Sequence, residues 1–524
     1  MSTPGPDRSN PAADSKAAQR WTLVAAILGS SLAFVDSTVV NVALPAIQRS
    51  LNANAAQTQW VVEAYVLFLS SLLLGGGALG DKLGRRRMFM AGAVVFVTAS
   101  VFAAASASIG YLIAARALQG VGAAFLVPGS LSLISSVFPE SERGKAIGTW
   151  SAMSGVTAAA GPVLGGFLVD HFSWTWAFLI NLPLGLGLLY ICATRVPEIR
   201  SVPAPAGAAK EPVDLVGTAL VTLGLTGVIF ALIEVPVRGW SDLAVIFSAL
   251  LGAASLAVFL LFEARAAAPM LPLRLFQNSN FAGANLLTVF LYGALGGALY
   301  FLPLNLVQVQ GLGATAAGAA LLPMIGILFL LSRWAGTLAD TYGPKRPLVI
   351  GPCIAATGFA WFAIASVDSN YWATFFPATC LLGLGMSITA APLTTTVMNA
   401  VEPGLSGTAS GVNNAVSRAA GLLAIGIFGI VMSLAFNLSL DGALATMALP
   451  TDTLHQVDMQ RNRLAGIVLP ETLNAVDRHA LKTAVGTAFV SGFRWTMLIS
   501  AGLALLSAAA AWRMVGNKSD ARTG

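Results

Sequence analysis

Charged side chains stand inside long apolar stretches of this 524-residue chain, and those of greatest interest are Asp36, Glu63, Arg116 and Arg418. A charged group in apolar surroundings is costly and usually has a partner or a task. A carboxyl group there gains or loses a proton according to its neighbours. A guanidinium group stays charged and binds carboxylates or other anions. These residue types therefore indicate proton binding and charge pairing.

Other chemistries find no support in the sequence. The segment Arg143-Gly144-Lys145 lacks the preceding glycine and the following Ser or Thr of a nucleotide-binding loop. No nucleophile and base stand together, so we expect no enzyme activity. The spacing of the histidines and cysteines predicts no metal site, no disulfide framework and no cofactor (His171, His455, His479, Cys192, Cys353, Cys380).

The composition predicts a membrane protein. Hydrophobic residues make up 56% of the chain and charged residues 10%, against about 25% charged residues in soluble domains. The net charge of +6 is compatible with a nucleic-acid partner. However, the basic residues cluster in short gaps between apolar runs, as they do in membrane proteins. We therefore expect contact with a lipid bilayer and no nucleic-acid partner.

The apolar runs are long enough to cross a bilayer, which takes about 20 residues per helix. They predict fourteen helices, near 21–45, 58–79, 88–106, 111–137, 146–169, 175–194, 214–234, 243–263, 281–306, 316–339, 348–366, 371–398, 408–437 and 484–512. With an even number of crossings both termini lie on one side, which carries 19 Lys and Arg residues against 6 in the opposite loops. The side rich in basic residues is cytoplasmic. The sequence thus predicts a multi-pass protein of the cytoplasmic membrane with both termini inside.

One internal repeat indicates a duplication. The segment from Gly77 to Arg87 (GALGDKLGRRR) recurs from Gly336 to Arg346 (GTLADTYGPKR), each time after the second helix of a six-helix block. Parallel repeats about an axis along the membrane normal are a known transporter architecture. The predicted divisions are a disordered tail (1–20), a six-helix bundle (21–194), a linker (195–213), two inserted helices (214–264), a second six-helix bundle (280–512) with a long extracytoplasmic loop (438–483), and a tail (513–524).

With these motifs the chain resembles the Major Facilitator Superfamily, and within it the fourteen-helix drug:proton antiporter family. Helix 1 carries a similar signature, Asp36-Ser-Thr-Val-Val-Asn41-Val-Ala-Leu-Pro45. The resemblance covers nearly the whole chain. It implies an all-α integral membrane fold of two six-helix bundles plus two inserted helices.

Asp36 lies about 22 Å along its helix from Trp21, deep in the hydrocarbon region. Our hypothesis is that protonation of Asp36 from outside and substrate binding from inside exclude each other, with Asn41 in the same site. The alternative is a packed, permanently neutral acid. Arg116 matches the family position whose arginine influences the proton-binding acid. The alternative for Arg116 is pairing with backbone carbonyl groups.

Two further charged residues leave their roles open. Glu63, at the start of helix 2, is either a second proton or cation site or an interfacial carboxylate wetted by the outer solution. Arg418, near the middle of helix 13, either balances an acid or binds an anionic group of the substrate.

Helix 5 resembles the antiporter motif of the superfamily's exporters, with Gly155 ahead of Gly161-Pro162-Val-Leu-Gly165-Gly166. Gly161 and Gly165 form a G-x-x-x-G face that permits close helix approach, and Pro162 bends the helix. The resemblance implies that a tight, bent seam at this place limits proton leakage while the protein switches.

The repeated loop resembles the family's cytoplasmic gate. Asp81 is expected to meet the N-terminus of a helix from the other half, such as that at Ser406, while Gly84 makes the tight turn. The gating residues of both copies are Gly77, Asp81, Gly84, Arg85, Arg86, Gly336, Asp340, Gly343, Lys345 and Arg346. The basic residues of the first copy also serve as a topology signal.

The resemblance implies a monomeric, proton-driven exporter of small hydrophobic or amphipathic compounds that uses no nucleotide. The alternatives are a dedicated exporter of one endogenous metabolite and a non-transporter of the same fold, such as a lipid flippase or receptor.

Overall fold

A computed structural model describes residues 11–198, 214–266, 269–402 and 405–516. These residues are helical almost throughout, and no strand occurs among them. The helices are α1 (Pro11–Ser50), α2 (Ala55–Leu83), α3 (Arg85–Ala104), α4 (Ile109–Val137), α5 (Glu140–His171), α6 (Trp176–Leu179), α7 (Asn181–Arg195), α8 (Leu215–Arg238), α9 (Leu243–Glu263), α10 (Ser279–Leu304), α11 (Ala314–Ala319), α12 (Leu322–Tyr342), α13 (Lys345–Phe362), α14 (Phe376–Asn399), α15 (Ser406–Leu444), α16 (Thr451–Asp458) and α17 (Ala475–Met514). Short 3₁₀ or π turns lie at Leu273–Gln277, Asn305–Val309, Tyr371–Phe375 and Arg461–Gly466.

Twelve helices of the described residues are long and apolar enough to cross a membrane. The sequence predicts fourteen crossings. The two predicted crossings that are not among these twelve helices correspond to α2 and α13. The tail predicted to be disordered (1–20) is helical over residues 11–20, which begin α1, and residues 1–10 lie outside the described part of the chain. Most of the predicted linker (199–213) and of the C-terminal tail (517–524) also lie outside it. The long loop between the last two predicted spans is shorter than expected, because α15 continues to Leu444 and α17 begins at Ala475.

Local signals in the sequence set the helix ends. Asn54 caps α2 through two reciprocal hydrogen bonds: its Oδ1 accepts from Gln57 N at 2.8 Å, and its own N–H donates to Gln57 Oε1 at 3.0 Å. This arrangement, called a capping box, satisfies backbone donors that have no partner in the helix. At the opposite end Gly84 turns the chain with φ +107°, and Gly343 does so in the second copy of the repeat with φ +76°. Glycine is the residue that adopts such angles without strain.

The helices pack as two sets with a pair between them. In the first set α4 lies against α2 and α3, and α5 lies along α1. In the second set α10, α15, α13 and α17 pack together, with α12 and α14 beside them. The middle pair α8 and α9 pack on each other, and α8 touches both α2 and α15. We call the side that carries residues 445–474 the loop face and the side of the Gly84 and Gly343 turns the basic face.

Helix α4 approaches its neighbour closely through a glycine pair. A Cβ atom on Gly122 would stand 2.7 Å from Phe96 N and 2.8 Å from Gly92 O, both backbone atoms of α3. We therefore expect Gly122→Val to lower the melting temperature of the purified protein in detergent, since overpacking costs about 1–3 kcal/mol.

Gly110→Val is the matched control, because Gly110 also lies in α4 but has no atom within 4 Å of the added Cβ position. Equal melting temperatures for the two variants would contradict the close crossing.

Candidate functional site

The centre of the first helix set holds a buried ion pair. Asp36 of α1 and Arg116 of α4 are 0% and 1% exposed, and Arg116 Nη1 donates to Asp36 Oδ2. The residues are 80 positions apart and meet because α1 and α4 pack side by side. The pairing predicted for Arg116 and the acid of helix 1 therefore corresponds to a direct contact.

Two amide side chains complete the surroundings of the carboxyl group. Asn181, the first residue of α7, donates from Nδ2 to Asp36 Oδ1 at 2.9 Å, and Gln119 Nε2 donates to the same oxygen at 3.1 Å. Gln119 Oε1 in turn accepts from Arg116 at 2.8 Å, three residues along α4 on one face. All groups bonded to Asp36 are donors. The arrangement stabilises the carboxylate form of Asp36 in this conformation.

Arg116 also ties α4 to α2. Its Nε donates to the carbonyl oxygen of Val61 at 2.9 Å, and its guanidinium lies 4.4 Å from the centre of the Tyr65 ring. Tyr65 donates its hydroxyl hydrogen to Ala33 O at 2.9 Å. The charge of Arg116 is thus balanced by a carboxylate and also satisfied by a carbonyl group and an aromatic face. Arg116 thus makes polar contacts from α4 to both α1 and α2.

Glu63 differs from Asp36 in having no partner. Its side chain is 0% exposed, and neither carboxyl oxygen has a hydrogen-bond partner. An isolated ionised carboxylate in such a place would be very costly, so burial favours the protonated, neutral group. The alternative of a carboxylate wetted by the outer solution does not describe this conformation.

Two other predicted site residues lie nearby but outside the Asp36 network. Asn41 is partly buried on α1, and its Oδ1 has no hydrogen-bond partner. Arg418 is partly exposed on α15, a helix that packs against α2. Among the described residues no group of three His, Cys, Asp or Glu side chains is arranged to hold a metal ion.

The glycines of α5 form a seam with two different neighbours. A Cβ atom on Gly161 would overlap the Thr38 side chain, and one on Gly165 would meet Val39, so this face lies directly on α1. Gly166 faces the backbone of Ala314 in the second helix set.

Pro162 also takes part in this contact, since a Cβ atom on Gly318 would overlap its carbonyl oxygen. Gly155 has open space around it and takes no part. The close approach predicted for Gly161 and Gly165 is thus present, and the seam extends between the two sets.

A carboxylate closes the same seam at the loop face. Asp170, one residue before the end of α5, accepts from Ala314 N at 3.0 Å, Thr315 N at 2.8 Å and Thr315 Oγ1 at 2.6 Å. It therefore caps the first turn of α11 from the other helix set. Nearby, Gln308 Nε2 donates to Gln48 Oε1 at 2.7 Å across the same boundary. We call the Asp170–Thr315 contact the loop-face latch.

The predicted gating loops form turns, and the basic side chains of these turns contact groups of nearby helices. In the first copy Arg86 donates to Val196 O at 2.8 Å and lies 3.3 Å from Glu198, a partner that the sequence does not reveal. Arg85 donates to Ser132 O at 3.2 Å. Gly77 makes only ordinary contact with Pro128.

In the second copy Gly336 has no neighbour within 4 Å of a Cβ position, Arg346 is exposed, and Lys345 lies 5.2 Å from the Trp512 ring. The side chains of Asp81 and Asp340 lie outside the described part of the chain. The expected meeting of Asp81 with a helix N-terminus therefore stays a prediction.

Sequence reasoning missed the residues that complete the site. Gln119 follows Arg116 by three residues, and this spacing was the signal that both share one helix face. Asn181 and Ser100 are ordinary polar residues in apolar helices, and Ser100 Oγ accepts from Gln119 at 2.8 Å. Asp170 resembles any helix-terminal acid in the sequence.

Comparison with known proteins identifies the family. The family model of the Major Facilitator Superfamily matches residues 26–425. The chain belongs to this superfamily. Its members are membrane transporters of small molecules, and the chain is accordingly a multi-pass protein of the bacterial plasma membrane.

Several relatives of this chain are named for drug resistance or export. The chain is 30% identical to the tetracenomycin C resistance and export protein of Streptomyces glaucescens, over 94% of this chain and 90% of that protein. It is 30% identical to the multidrug resistance protein Stp of Mycobacterium tuberculosis, over 94% and 92%. It is 35% identical to the puromycin resistance protein pur8 of Streptomyces alboniger, over 78% and 81%.

Solved structures agree on the fold. A bacterial homologue of the human lysosomal transporter Spinster superposes with a TM-score of 0.64 at 18% identity, covering 94% of this chain and 96% of that one. A D-xylose–proton symporter gives a TM-score of 0.60 at 15% identity, covering 95% and 98%. The fold of this chain is therefore the all-helical fold that the sequence predicts.

The ion pair generates a stability prediction. Asp36→Asn leaves the Arg116 guanidinium buried without a counter-charge, which costs about 3–5 kcal/mol. We expect a lower melting temperature in detergent, and a partial recovery in the double variant Asp36→Asn/Arg116→Gln, which removes both charges.

Asp458→Asn serves as the control, because it breaks an exposed pair with Arg461 at 2.7 Å that contributes little. A double variant that melts no higher than Asp36→Asn would show that uncompensated charge is not the cause.

Proposed function

We propose that this protein is a proton-driven antiporter that exports small hydrophobic or amphipathic compounds across the cytoplasmic membrane by alternating access. Relatives that span nearly the whole chain are named for resistance and export. The observation that carries the proton coupling is Glu63, a carboxyl group that is 0% exposed and has no hydrogen-bond partner. Such a group holds a proton in this conformation and releases it when the surroundings become wet.

The topology in this proposal has fourteen crossings with both termini in the cytoplasm. Helices α2 and α13, with 29 and 18 residues, cross together with the twelve apolar helices, because each packs lengthwise on crossing helices of its own set. The basic face is then cytoplasmic, as the distribution of Lys and Arg predicts. The loop face is extracytoplasmic.

The conformation fits a transporter that is closed to the outside. The glycine seam of α5 and the loop-face latch join the two helix sets on the loop face. Glu63 lies about 12 Å along α2 from its first residue at that face. When the sets separate there, the outer solution reaches Glu63. When they close, the group is buried as a neutral acid that the membrane tolerates.

In this scheme Asp36 and Glu63 have separate roles. Asp36 is held as a carboxylate by Arg116, Asn181 and Gln119. It becomes a proton acceptor only if the Arg116 contact breaks. Glu63 already lacks any such contact. We propose that Glu63 carries the proton inward and that the Asp36–Arg116 pair keeps the first helix set rigid while α5 moves against it.

A dedicated exporter of a single compound is the second candidate. Relatives such as the cephamycin export protein of Amycolatopsis lactamdurans carry the name of one antibiotic. Transport of a panel that includes puromycin, tetracenomycin C and ethidium separates a broad exporter from a dedicated one.

Replacing Glu63 tests the coupling. Glu63→Gln has nearly the shape of the protonated acid but holds no exchangeable charge, so the fold should be kept. In energised everted vesicles we expect the steady-state accumulation of puromycin driven by the proton gradient to fall by about tenfold or more, which corresponds to at least about 1.4 kcal/mol less free energy stored in the drug gradient. Exchange of labelled for unlabelled puromycin without a gradient should continue.

The exposed Glu471 provides the matched control, as Glu471→Gln should keep both activities. Gradient-driven uptake by Glu63→Gln at the wild-type rate would remove Glu63 from the coupling mechanism.

Removing the loop-face latch should open the outer side more often. Asp170→Ala deletes the acceptor of three hydrogen bonds to Ala314 and Thr315. Leu44, one turn from Gln48 on the same face of α1, is 0% exposed in this conformation. In a background without the native cysteines, a Leu44→Cys protein should react faster with an impermeant maleimide in intact cells when Asp170 is Ala.

Asp452→Ala, a change at an exposed loop-face residue outside the seam, should leave the labelling rate unchanged. Equal labelling of the Asp170→Ala and Asp452→Ala proteins would mean that the latch does not hold the outer side closed.

A further inference from the structure

One face of α15 is polar through the middle of the second helix set. Ser410, Asn414, Ser417 and Arg418 recur at spacings that place them on one side of the helix. Three of them, Ser410, Asn414 and Ser417, line a cavity together with Tyr292 of α10. Arg418 follows Ser417 directly and is itself partly exposed.

The rest of the cavity is lined by neutral groups. Thr394 of α14 contributes a hydroxyl group, and Leu393 and Val397 contribute apolar surface. Asn413 also lines the cavity, but its Nδ2 is already bound, donating to Thr288 Oγ1 at 2.8 Å. The cavity thus offers neutral hydrogen-bonding groups beside apolar ones, and no carboxylate lines it.

Arg418 has no counter-charge. Among the described residues it makes neither an ion pair nor a hydrogen bond, whereas Arg116 has Asp36, Gln119 and the Val61 carbonyl. The carboxylate of Asp36 is occupied by Arg116, and Glu63 has no partner at all. An arginine inside a membrane protein stays charged, and without a partner it is costly and points to a functional site.

Arg418 lies where the two helix sets meet. It belongs to α15 of the second set, and α15 packs against α2 of the first. A ligand bound to Arg418 therefore lies at the boundary where the sets move against each other. Its binding is coupled to the conformational change.

We propose that Arg418, with the polar cavity beside it, forms a subsite for an anionic group of the substrate, such as a carboxylate or an ionised phenol. The apolar remainder of the substrate packs against Tyr292, Leu393 and Val397. This inference rests on the proposed export function and adds that amphipathic compounds with one acidic group bind more tightly than their neutral or basic counterparts. The guanidinium group gains the counter-charge that the chain does not supply, through charge-assisted hydrogen bonds.

Binding of three matched probes tests the subsite. The probes share one pyrene body and differ in the end group: 1-pyrenebutyric acid, its methyl ester and 4-(1-pyrenyl)butylamine. We expect the purified wild-type protein in detergent to bind the acid most tightly. Arg418→Gln should weaken binding of the acid by about 10- to 100-fold, the range for a lost hydrogen bond to a charged group, and leave the ester within about twofold.

Two variants separate the subsite from general damage. Arg418→Lys keeps the charge but not the paired donors, so it should bind the acid with intermediate affinity. Arg494→Gln is the control, because Arg494 is exposed on α17 and donates to Ala365 O at 2.8 Å away from the cavity. It should bind all three probes as the wild type does.

Tightest binding of the amine, equal weakening of all three probes in Arg418→Gln, or failure of the acid to bind the wild type would each overturn the subsite. Because binding is measured without a membrane or a proton gradient, a failure of proton coupling leaves this result unaffected. Arg418-dependent binding of the acid together with proton-independent transport would support the subsite and contradict the antiport.

Discussion

A charge inside a bilayer must be compensated where it stands, because water cannot reach it. In this transporter the strongest case is the pair of Asp36 and Arg116, both almost completely buried and bonded to each other. The pair also binds side chains or backbone from α1, α2, α4 and α7. Removing either charge exposes the other to the full cost of desolvation. The geometry of the first helix set depends on this constraint.

The same constraint applies to two other charged residues of the interior, Glu63 and Arg418. The carboxyl oxygens of Glu63 have no hydrogen-bond partner among the described residues, and the group avoids the cost by being neutral. Arg418 cannot become neutral, and its partial exposure lowers the cost of its charge. Our proposals give the first group a proton to carry and the second an anion to bind. A transporter needs two such sites whose occupancy changes with conformation.

Motion between the helix sets is limited by how closely they touch. On the loop face Gly166 and Gly318 permit backbone to meet backbone, and Asp170 adds three hydrogen bonds across the boundary. These contacts are polar and small, so they can be broken and remade without exposing a large apolar surface. The glycines facing Thr38 and Val39 instead hold α5 on α1, within the same set.

Much of this arrangement is predictable from the sequence, for identifiable physical reasons. Apolar runs of bilayer length predict the helices, and charged residues inside them, such as Asp36 and Arg116, are rare enough to be recognised as a site. The spacing of Gly161 and Gly165 predicts a close contact but not its partner. The contribution of Asn181, 145 residues from Asp36, depends on which helices are neighbours. The complete burial of Glu63 depends likewise on the packing of the helices around α2.

The most direct test of the central claim is whether drug transport moves protons. Everted vesicles that contain the wild-type protein would be acidified inside, and the internal pH followed while puromycin or tetracenomycin C is added. Antiport predicts that the drug enters the vesicles and that the pH gradient falls in proportion, with no such change in vesicles lacking the protein. Drug uptake that leaves the gradient intact and persists after a protonophore is added would contradict proton-driven export.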